Sequence, residues 1–176
     1  RAKSPMALRL FIESLAALLV KYGADGFRFD LAELLGMGAL REIETCVKRI
    51  KPLAILIAEP WSFRGHIGAS LKSTGYASWN DGFREFMLSY AKGEGNCDGF
   101  KYFMAGSRGG YASFPTQTVN YLESHDDMCL FDRITSAHGN PSRWDLRRYK
   151  LAYALVFLAV GIPMGGGGFG LIRSKG

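Results

Sequence analysis

The feature that most constrains the fold is an alternation of helical and strand-like segments along the chain. Apolar residues recur every three or four positions over residues 8–22 and again over 40–50, which is typical of amphipathic helices. Each of these helices is followed by a short apolar run of strand length, at 26–30 and 53–58. Strands that alternate with helices predict βαβ units and a parallel sheet. The predicted fold class is therefore α/β.

The second half of the chain continues this pattern less regularly. The sequence predicts a helix around 83–90, a strand over 118–122, a helix capped by Asp145 and a last strand over 161–164. The intervening stretch 93–115 is rich in glycine and poorly patterned. We therefore predict that this stretch is a long loop with little regular structure.

Composition and charge argue against several classes of partner. The net charge is +6, but the basic residues are dispersed, so no nucleic-acid partner is expected. The longest uncharged apolar run, 151–164, is too short to span a membrane, so no membrane partner is expected either. Cys46, Cys97 and Cys129 are far apart, which predicts neither a disulfide framework nor a thiolate metal site. Unpaired thiols favour a reducing, cytoplasmic compartment, while secretion stays open.

Three of the predicted strands deliver an acidic residue at or just beyond their carboxyl ends. Asp30 follows the first strand, Glu59 follows the second, and Asp126 lies beyond the strand at 118–122. A single acid at a strand end is usually a helix cap or an ion-pair partner. Three acids in successive units argue against that interpretation, because the carboxyl ends of parallel strands form the catalytic rim of an α/β barrel.

Arg28 and Asp30 are two positions apart on one strand and should share a face. A fixed cation beside a carboxylate favours the ionised form that a nucleophile requires. Glu59 arrives one strand–helix repeat later and should lie on the adjacent strand. Such a carboxyl pair, about 5 Å apart, is what retaining glycosidases need.

Three short motifs, at 25–32 (Asp-Gly-Phe-Arg-Phe-Asp-Leu-Ala), 58–61 (Ala-Glu-Pro-Trp) and 120–127 (Asn-Tyr-Leu-Glu-Ser-His-Asp-Asp), carry these acids. They resemble three of the regions that define the α-amylase family of glycoside hydrolases, family 13. Within that family they are most similar to the pullulanase- and isoamylase-type debranching enzymes. The resemblance implies that 1–176 is the carboxy-terminal part of a (β/α)8 TIM-barrel catalytic domain, covering roughly its fourth to eighth strands.

The resemblance also implies roles for individual residues. Asp30 would be the nucleophile that forms a β-glycosyl-enzyme, and Glu59 would be the general acid and then the base. Asp126 would hold sugar hydroxyls and favour the distorted ring of the transition state. The residues implied to orient the nucleophile or bind the substrate are Arg28, His125 and Trp61.

The implied substrates are starch, glycogen or pullulan, whose α-glucosidic bonds, and in particular the α-1,6 branch links, would be hydrolysed. No cofactor is required, and a structural Ca²⁺ ion is compatible with the family although its ligands cannot be placed in this sequence. An α-glucan transglycosylase using the same intermediate stays open, as does a non-catalytic carbohydrate-binding barrel remnant. Because about half a barrel leaves an open sheet edge, the isolated chain is expected to be inactive.

Two segments invite other interpretations. The glycines at 165–170 match a dinucleotide-binding pattern, but the required helix and distant acidic residue do not follow. In the family this position usually carries a glutamine or alanine and an acidic residue, so the glycine run is a departure. His125, Asp126 and Asp127 could form a metal cluster, but the remaining histidines lack ligand spacing, so no catalytic metal is predicted.

Overall fold

The computed structural model describes residues 4–126, 128–136 and 140–174. Asp127, the last residue of the third motif, lies outside the described residues. The chain divides into two compact units, residues 1–79 and 80–176, which we call the first and second units.

The first unit is built around three parallel strands. Strands β1, β2 and β5 form a parallel sheet in that order, and β3 pairs antiparallel with β4 in a hairpin. Its elements in chain order are α1 (Pro5–Tyr22), β1 (Gly26–Phe29), α2 (Met37–Ile50), β2 (Ile55–Ala58), β3 (Trp61–Ser62), β4 (Gly65–His66), α3 (Gly68–Leu71) and β5 (Ala77–Trp79).

Local sequence explains where these elements begin and end. Helix α1 begins with a proline in its first turn and ends at Gly23, whose left-handed φ of 69° allows the chain to reverse.

Buried apolar side chains of α1, α2, β1 and β2 form the core of the first unit. Within this core the Tyr76 hydroxyl donates a 3.0 Å hydrogen bond to the carbonyl of Leu40. Phe29 pairs in register with Ala58. The residues that follow them, Asp30 and Glu59, therefore lie at the ends of two neighbouring strands.

The second unit combines helices with a parallel pair of short strands. Strands β6 and β7 pair in parallel, with Val119 opposite Ile162. Its elements in chain order are α4 (Asp81–Ala91), α5 (Cys97–Met104), β6 (Thr118–Asn120), α6 (Leu130–Thr135), α7 (Arg143–Leu158) and β7 (Ile162–Pro163). Buried side chains of α4, α6 and α7 form the core of this unit. The predicted α/β class with parallel strands is confirmed.

The expectation of a long loop over 93–115 is wrong, because this stretch contains helix α5. Asn96 caps the helix by accepting a 2.7 Å hydrogen bond from the backbone N–H of Gly99. Phe100, Phe103 and Met104 recur at helical spacing and pack against the core of the second unit. Packing of these three partly buried side chains outweighs the low helix propensity of a glycine.

The expectation that Asp145 caps the last long helix is also wrong by one turn. The cap of α7 is Ser142, whose hydroxyl accepts from the N–H of Asp145 while the Asp145 carboxylate accepts from the N–H of Ser142 at 2.9 Å. This reciprocal pair is a capping box, in which the acidic residue stands three positions inside the helix.

None of the described helices is both long and apolar enough to cross a membrane. Cys46, Cys97 and Cys129 are all free thiols, and only Cys129 is buried.

Candidate active site

One guanidinium group joins the two acids that follow β1 and β2. Arg28 donates from Nη1 to Oδ1 of Asp30 and from Nη2 to Oε1 of Glu59, the latter at 3.0 Å. The predicted neighbours Arg28, Asp30 and Glu59 are thus together in the first unit. Because a guanidinium is planar and always charged, it fixes the orientation of both carboxylates at once.

The two acids differ sharply in exposure. The side chain of Asp30 is 65% exposed, whereas that of Glu59 is 4% exposed. The second oxygen of Glu59 accepts a 2.7 Å hydrogen bond from the backbone N–H of Leu31, so that both of its oxygens are bound by donors. This arrangement presents Asp30 to solvent and holds Glu59 behind it.

Leu31 adopts a left-handed backbone conformation with φ 41°, which is unfavourable for a side chain of this size. Its N–H is bound by Glu59, and the next N–H, of Ala32, donates to the Glu59 carbonyl at 3.0 Å. Residues with such strain cluster at functional sites, where surrounding contacts hold them. This turn could not be predicted from the local sequence, because it depends on contacts with Glu59 at the end of the neighbouring strand.

Trp79 is a further residue of this site that sequence reasoning missed. It ends β5, and the Arg28 guanidinium carbon lies 5.9 Å from the centre of its ring, within cation–π range. The strand has only three residues and no apolar run, so its pattern is too short to detect. Arg28 is therefore held by an aromatic face as well as by two carboxylates.

A pocket of about 280 Å³ opens beside this cluster in the first unit. Apart from Arg28 and Asp30, its lining side chains are apolar. They are Phe11, Leu15, Phe27, Phe29 and Leu35. The pocket lies between α1 and β1, and its apolar walls border one side of the Arg28–Asp30 pair.

The fourth predicted residue of the first unit, Trp61, lies on the β3–β4 hairpin that follows Glu59. It is half-buried and pairs across the hairpin with His66, with ring centres 6.3 Å apart. Ser62 in the same strand donates a hydrogen bond to the carboxylate of Glu33. The hairpin therefore carries the indole ring two residues beyond Glu59, near the carboxyl end of β2.

The remaining predicted residues, His125 and Asp126, lie together in the second unit. Both side chains are more than 60% exposed, and His125 Nε2 is 3.4 Å from Asp126 Oδ2. The Ser124 hydroxyl accepts from the N–H of Asp126 at 3.2 Å, which closes a tight turn. We call residues 124–126 the acidic turn.

Buried polar side chains of β6 support the chain leading to the acidic turn. Thr118 Oγ1 donates to Asn120 Oδ1 at 3.0 Å and accepts from Asn80 Nδ2 at 2.8 Å, and Asn120 Nδ2 donates to the Val160 carbonyl at 3.1 Å. Buried amides and hydroxyls are stable only when they are paired in this way. The network fixes the path of β6 within the second unit.

Within the described ranges, no group of three or more His, Cys, Asp or Glu side chains is arranged to hold a metal ion. The carboxylates described here engage basic side chains or backbone N–H groups instead.

Known proteins resemble this chain over almost its whole length. The pullulanase of Bacillus subtilis is 28% identical over 97% of the chain, which covers 27% of that protein. The chloroplastic isoamylase 3 of rice is 30% identical over 74% of the chain and 18% of its own length. The crystal structure of a pullulanase from Paenibacillus barengoltzii superposes with a TM-score of 0.85, at 27% identity, over 99% of this chain and 31% of the other.

No family model matches the sequence. The chain spans less than a third of the length of each of these relatives. The resemblance predicted from the three motifs is nevertheless confirmed, since sequence and structure lead to the same group of proteins. The chain is a relative of the pullulanase- and isoamylase-type debranching enzymes, which are members of family 13, the α-amylase family of glycoside hydrolases.

Proposed function

We propose that the chain is the carboxy-terminal part of a (β/α)8 TIM-barrel catalytic domain, comprising roughly its fourth to eighth strands. The complete domain would be a retaining hydrolase of α-glucosidic bonds. The observation that carries this proposal is the contact of one guanidinium, Arg28, with Asp30 and Glu59 at the ends of adjacent parallel strands. Retaining glycosidases require two carboxyl groups in such proximity.

In the proposed reaction Asp30 is the nucleophile. One of its oxygens bonds to the anomeric carbon while the bond from that carbon to the glycosidic oxygen breaks, and Glu59 gives its proton to the departing oxygen. Glu59 then takes a proton from water, and the water oxygen displaces Asp30 from the anomeric carbon. Two inversions retain the configuration, and both carboxyl groups return to their starting states.

The contacts of Asp30 fit its task, whereas those of Glu59 favour the carboxylate and must change before it can act as an acid. Asp30 is exposed and is oriented by Arg28, as an attacking group must be. Glu59 accepts hydrogen bonds at both oxygens, from Arg28 and from Leu31. To protonate a leaving group, one of these oxygens must exchange its present donor for the glycosidic oxygen. The contact with Arg28 is the one that can be exchanged, because Arg28 keeps Asp30 as a second partner.

The acidic turn and the β3–β4 hairpin would supply substrate contacts. In this proposal Asp126 accepts hydrogen bonds from sugar hydroxyls and favours the distorted ring, while His125 binds the same sugar. Trp61 offers a face of its indole on which a sugar ring can stack. The proposal requires that the barrel brings the acidic turn and the Asp30–Glu59 pair to one sugar.

The proposed substrate is an α-glucan such as starch, glycogen or pullulan, cleaved at α-1,6 branch links. The relatives are named pullulanase and isoamylase, and the pullulanase of Paenibacillus barengoltzii was solved in complex with maltohexaose and α-cyclodextrin. These names and this complex support an α-glucan ligand for the present chain. The reaction as proposed uses protein groups alone and requires no cofactor.

The test uses a chimera in which this chain replaces the matching stretch of the Bacillus subtilis pullulanase, since that match covers 97% of the chain. Release of reducing ends from pullulan, amylopectin and glycogen is measured. We expect Asp30→Asn and Glu59→Gln each to lower kcat by about 10⁴-fold, as loss of a group that takes part in the chemistry does in other hydrolases.

Asp25→Asn is the matched control. Asp25 lies at the opposite, amino end of β1 and is fully exposed, and the hydrogen bond from Lys51 lowers the pKa of its carboxyl. Its replacement should leave kcat unchanged. Full activity of the Asp30→Asn chimera would refute the proposed site.

Two other outcomes would change the proposal in defined ways. A folded chimera that binds maltohexaose without releasing reducing ends would favour the carbohydrate-binding alternative. Products longer than the substrate would identify a transglycosylase, in which a second sugar takes the place of water. Product length is therefore measured in the same reactions.

A further inference from the structure

The second unit contains a buried carboxylate that the proposed reaction does not use. Glu123 is 2% exposed and immediately precedes the acidic turn. Its Oε2 accepts a 2.7 Å hydrogen bond from the backbone N–H of Leu130, the first residue of α6. The chain thus leaves Glu123, carries His125 and Asp126 into solvent, and is tied back to the same side chain at Leu130.

This tie is short and well shielded. Among the described residues, the buried Oε1 of Glu123 has no hydrogen-bond partner, so the bond from Leu130 to Oε2 is what ties this side chain. A bond from a backbone N–H to a charged oxygen is stronger than a neutral one. Leu130 is fully buried, so water does not compete for its N–H. The contact between Glu123 and Leu130 therefore fixes the separation of the two ends of the acidic turn's loop.

The glycine run explains how the carboxylate fits. A Cβ atom added at Gly166 would stand 2.5 Å from Glu123 Oε1 and 2.8 Å from its Cγ, closer than real Cβ contacts. A Cβ at the neighbouring Gly167 would meet nothing within 4 Å. The absence of a side chain at position 166 is thus what leaves room for Glu123.

The charge of Glu123 affects the pKa of two tyrosines of α7. Burial and then the negative charge of Glu123 raise the pKa of Tyr149 to about 12. The same two causes raise the pKa of Tyr153. Both phenols accordingly stay neutral near Glu123, and the Tyr149 hydroxyl donates a 2.6 Å hydrogen bond to the carbonyl of Phe169 just after the glycine run.

We propose that Glu123 is a positioning residue that holds the acidic turn through its bond to Leu130, and that Gly166 provides the space this requires. The inference rests on the proposed function, because it assigns Glu123 the task of placing Asp126 against the substrate. It adds a residue that acts through another residue and does not itself touch the sugar.

The test compares four variants with matched chemistry. Glu123→Ala removes the acceptor, Glu123→Gln keeps an oxygen that can accept from Leu130, and Gly166→Ala displaces the carboxylate. Gly167→Ala is the control, because it adds the same methyl group to open space one residue away. In the chimera we expect Glu123→Ala and Gly166→Ala to lower kcat on pullulan by about 100-fold, the size of a misplacement of about 1 Å.

In the same assays Glu123→Gln and Gly167→Ala should retain kcat, and KM should change less than kcat in every variant. A double-mutant cycle identifies the route of the effect. If Glu123 acts through Asp126, then Glu123→Ala should cause no further loss in a chimera that already carries Asp126→Ala.

A second measurement does not depend on activity. Amide hydrogen exchange of the peptide spanning 123–130, measured on the 176-residue chain, should accelerate in Glu123→Ala and Gly166→Ala and stay unchanged in the other two variants. Unchanged exchange of this peptide in Glu123→Ala and in Gly166→Ala would overturn the inference. So would a lower Tm with an unchanged kcat, since a merely structural role predicts that pattern.

These outcomes separate the two proposals. If Asp30→Asn leaves the chimera active, the proposed function fails whatever Glu123 does. If Asp30 is required but Glu123→Ala and Gly166→Ala have normal kcat, only the positioning role fails.

Discussion

The two units hold their proposed functional acids in different ways. In the first unit, Asp30 and Glu59 directly follow the paired strands β1 and β2, and both contact Arg28, which itself belongs to β1. In the second unit, Asp126 lies on an exposed turn beyond the end of β6. The first arrangement is fixed by the pairing of strands.

The second arrangement depends on a distant contact. The hydrogen bond between Glu123 and Leu130 joins the chain on the two sides of the acidic turn. Gly166 has no side chain and so leaves room for Glu123. The comparison teaches that paired strands place the acids at their ends directly, whereas an acid on a turn beyond a strand needs a further buried contact. It also predicts that the two sites respond differently to substitution.

Among substitutions that leave both acids of the first unit in place, the largest effect is expected from Arg28→Lys. A lysine keeps the charge but is a point donor, and it cannot hold two carboxylates in the fixed fork that a guanidinium provides. We expect kcat of the chimera to fall by roughly 10²–10³-fold, as when one preorganised electrostatic contact is removed. Initial rates of reducing-end release measure this.

Arg41→Lys is the control for that variant, because Arg41 lies on an exposed face of α2 and its guanidinium donates to a neutral hydroxyl, that of Ser73. It should retain full activity. An Arg28→Lys chimera with normal kcat would show that the two carboxylates do not depend on a shared guanidinium.

The same contrast explains what could be predicted from sequence. The strands that carry Asp30 and Glu59 were found because apolar runs between amphipathic helices report local structure. Trp79 escaped prediction because β5 has three residues, and α5 because a glycine-rich composition masked helical spacing. The bond from Leu130 to Glu123 had no local signal, since it depends on the path of the folded chain.

Strand β1 approaches the backbone of β2 closely at Gly26. A Cβ atom at Gly26 would lie 2.0 Å from the carbonyl oxygen of Ile55, a backbone atom that cannot move without disturbing the strand pair. Gly26→Ala should therefore lower the free energy of unfolding by about 1–3 kcal/mol, the range for overpacking. Chemical denaturation of wild-type and variant chains measures the difference.

Gly38→Ala supplies the control, because Gly38 lies in α2 and an added Cβ would meet nothing within 4 Å. It should stabilise the chain by up to about 1 kcal/mol through helix propensity. The contrast between the two units predicts that Gly26→Ala lowers both stability and kcat, while Gly166→Ala mainly lowers kcat. If Gly26→Ala and wild type had equal free energies of unfolding, the strand pair could accommodate the added methyl group without loss of stability.

The smallest effect is expected at a charged cluster of the second unit that has a stabilising role. Glu85 on α4 accepts from Arg84 Nε at 2.8 Å and from Arg133 of α6. Burial would raise the pKa of Glu85, but hydrogen bonds and charges of Arg133 and Arg84 outweigh it and lower the pKa below its usual 4.5. A carboxyl with a lowered pKa stabilises the folded state above its unfolded pKa and loses this effect as the pH falls through the folded value.

The stability difference between wild type and Glu85→Gln should thus be present at pH 7, start to shrink near pH 4.5, and vanish at lower pH. Because half of the Glu85 side chain is exposed, the difference should be about 1 kcal/mol or less. Denaturation curves at several pH values measure it. Arg133→Gln should remove much of the same increment, because Arg133 lowers the pKa of Glu85 more than Arg84 does. A difference that is equal at pH 7 and pH 3 would show that packing of the side chain, and not its charge, links α4 to α6.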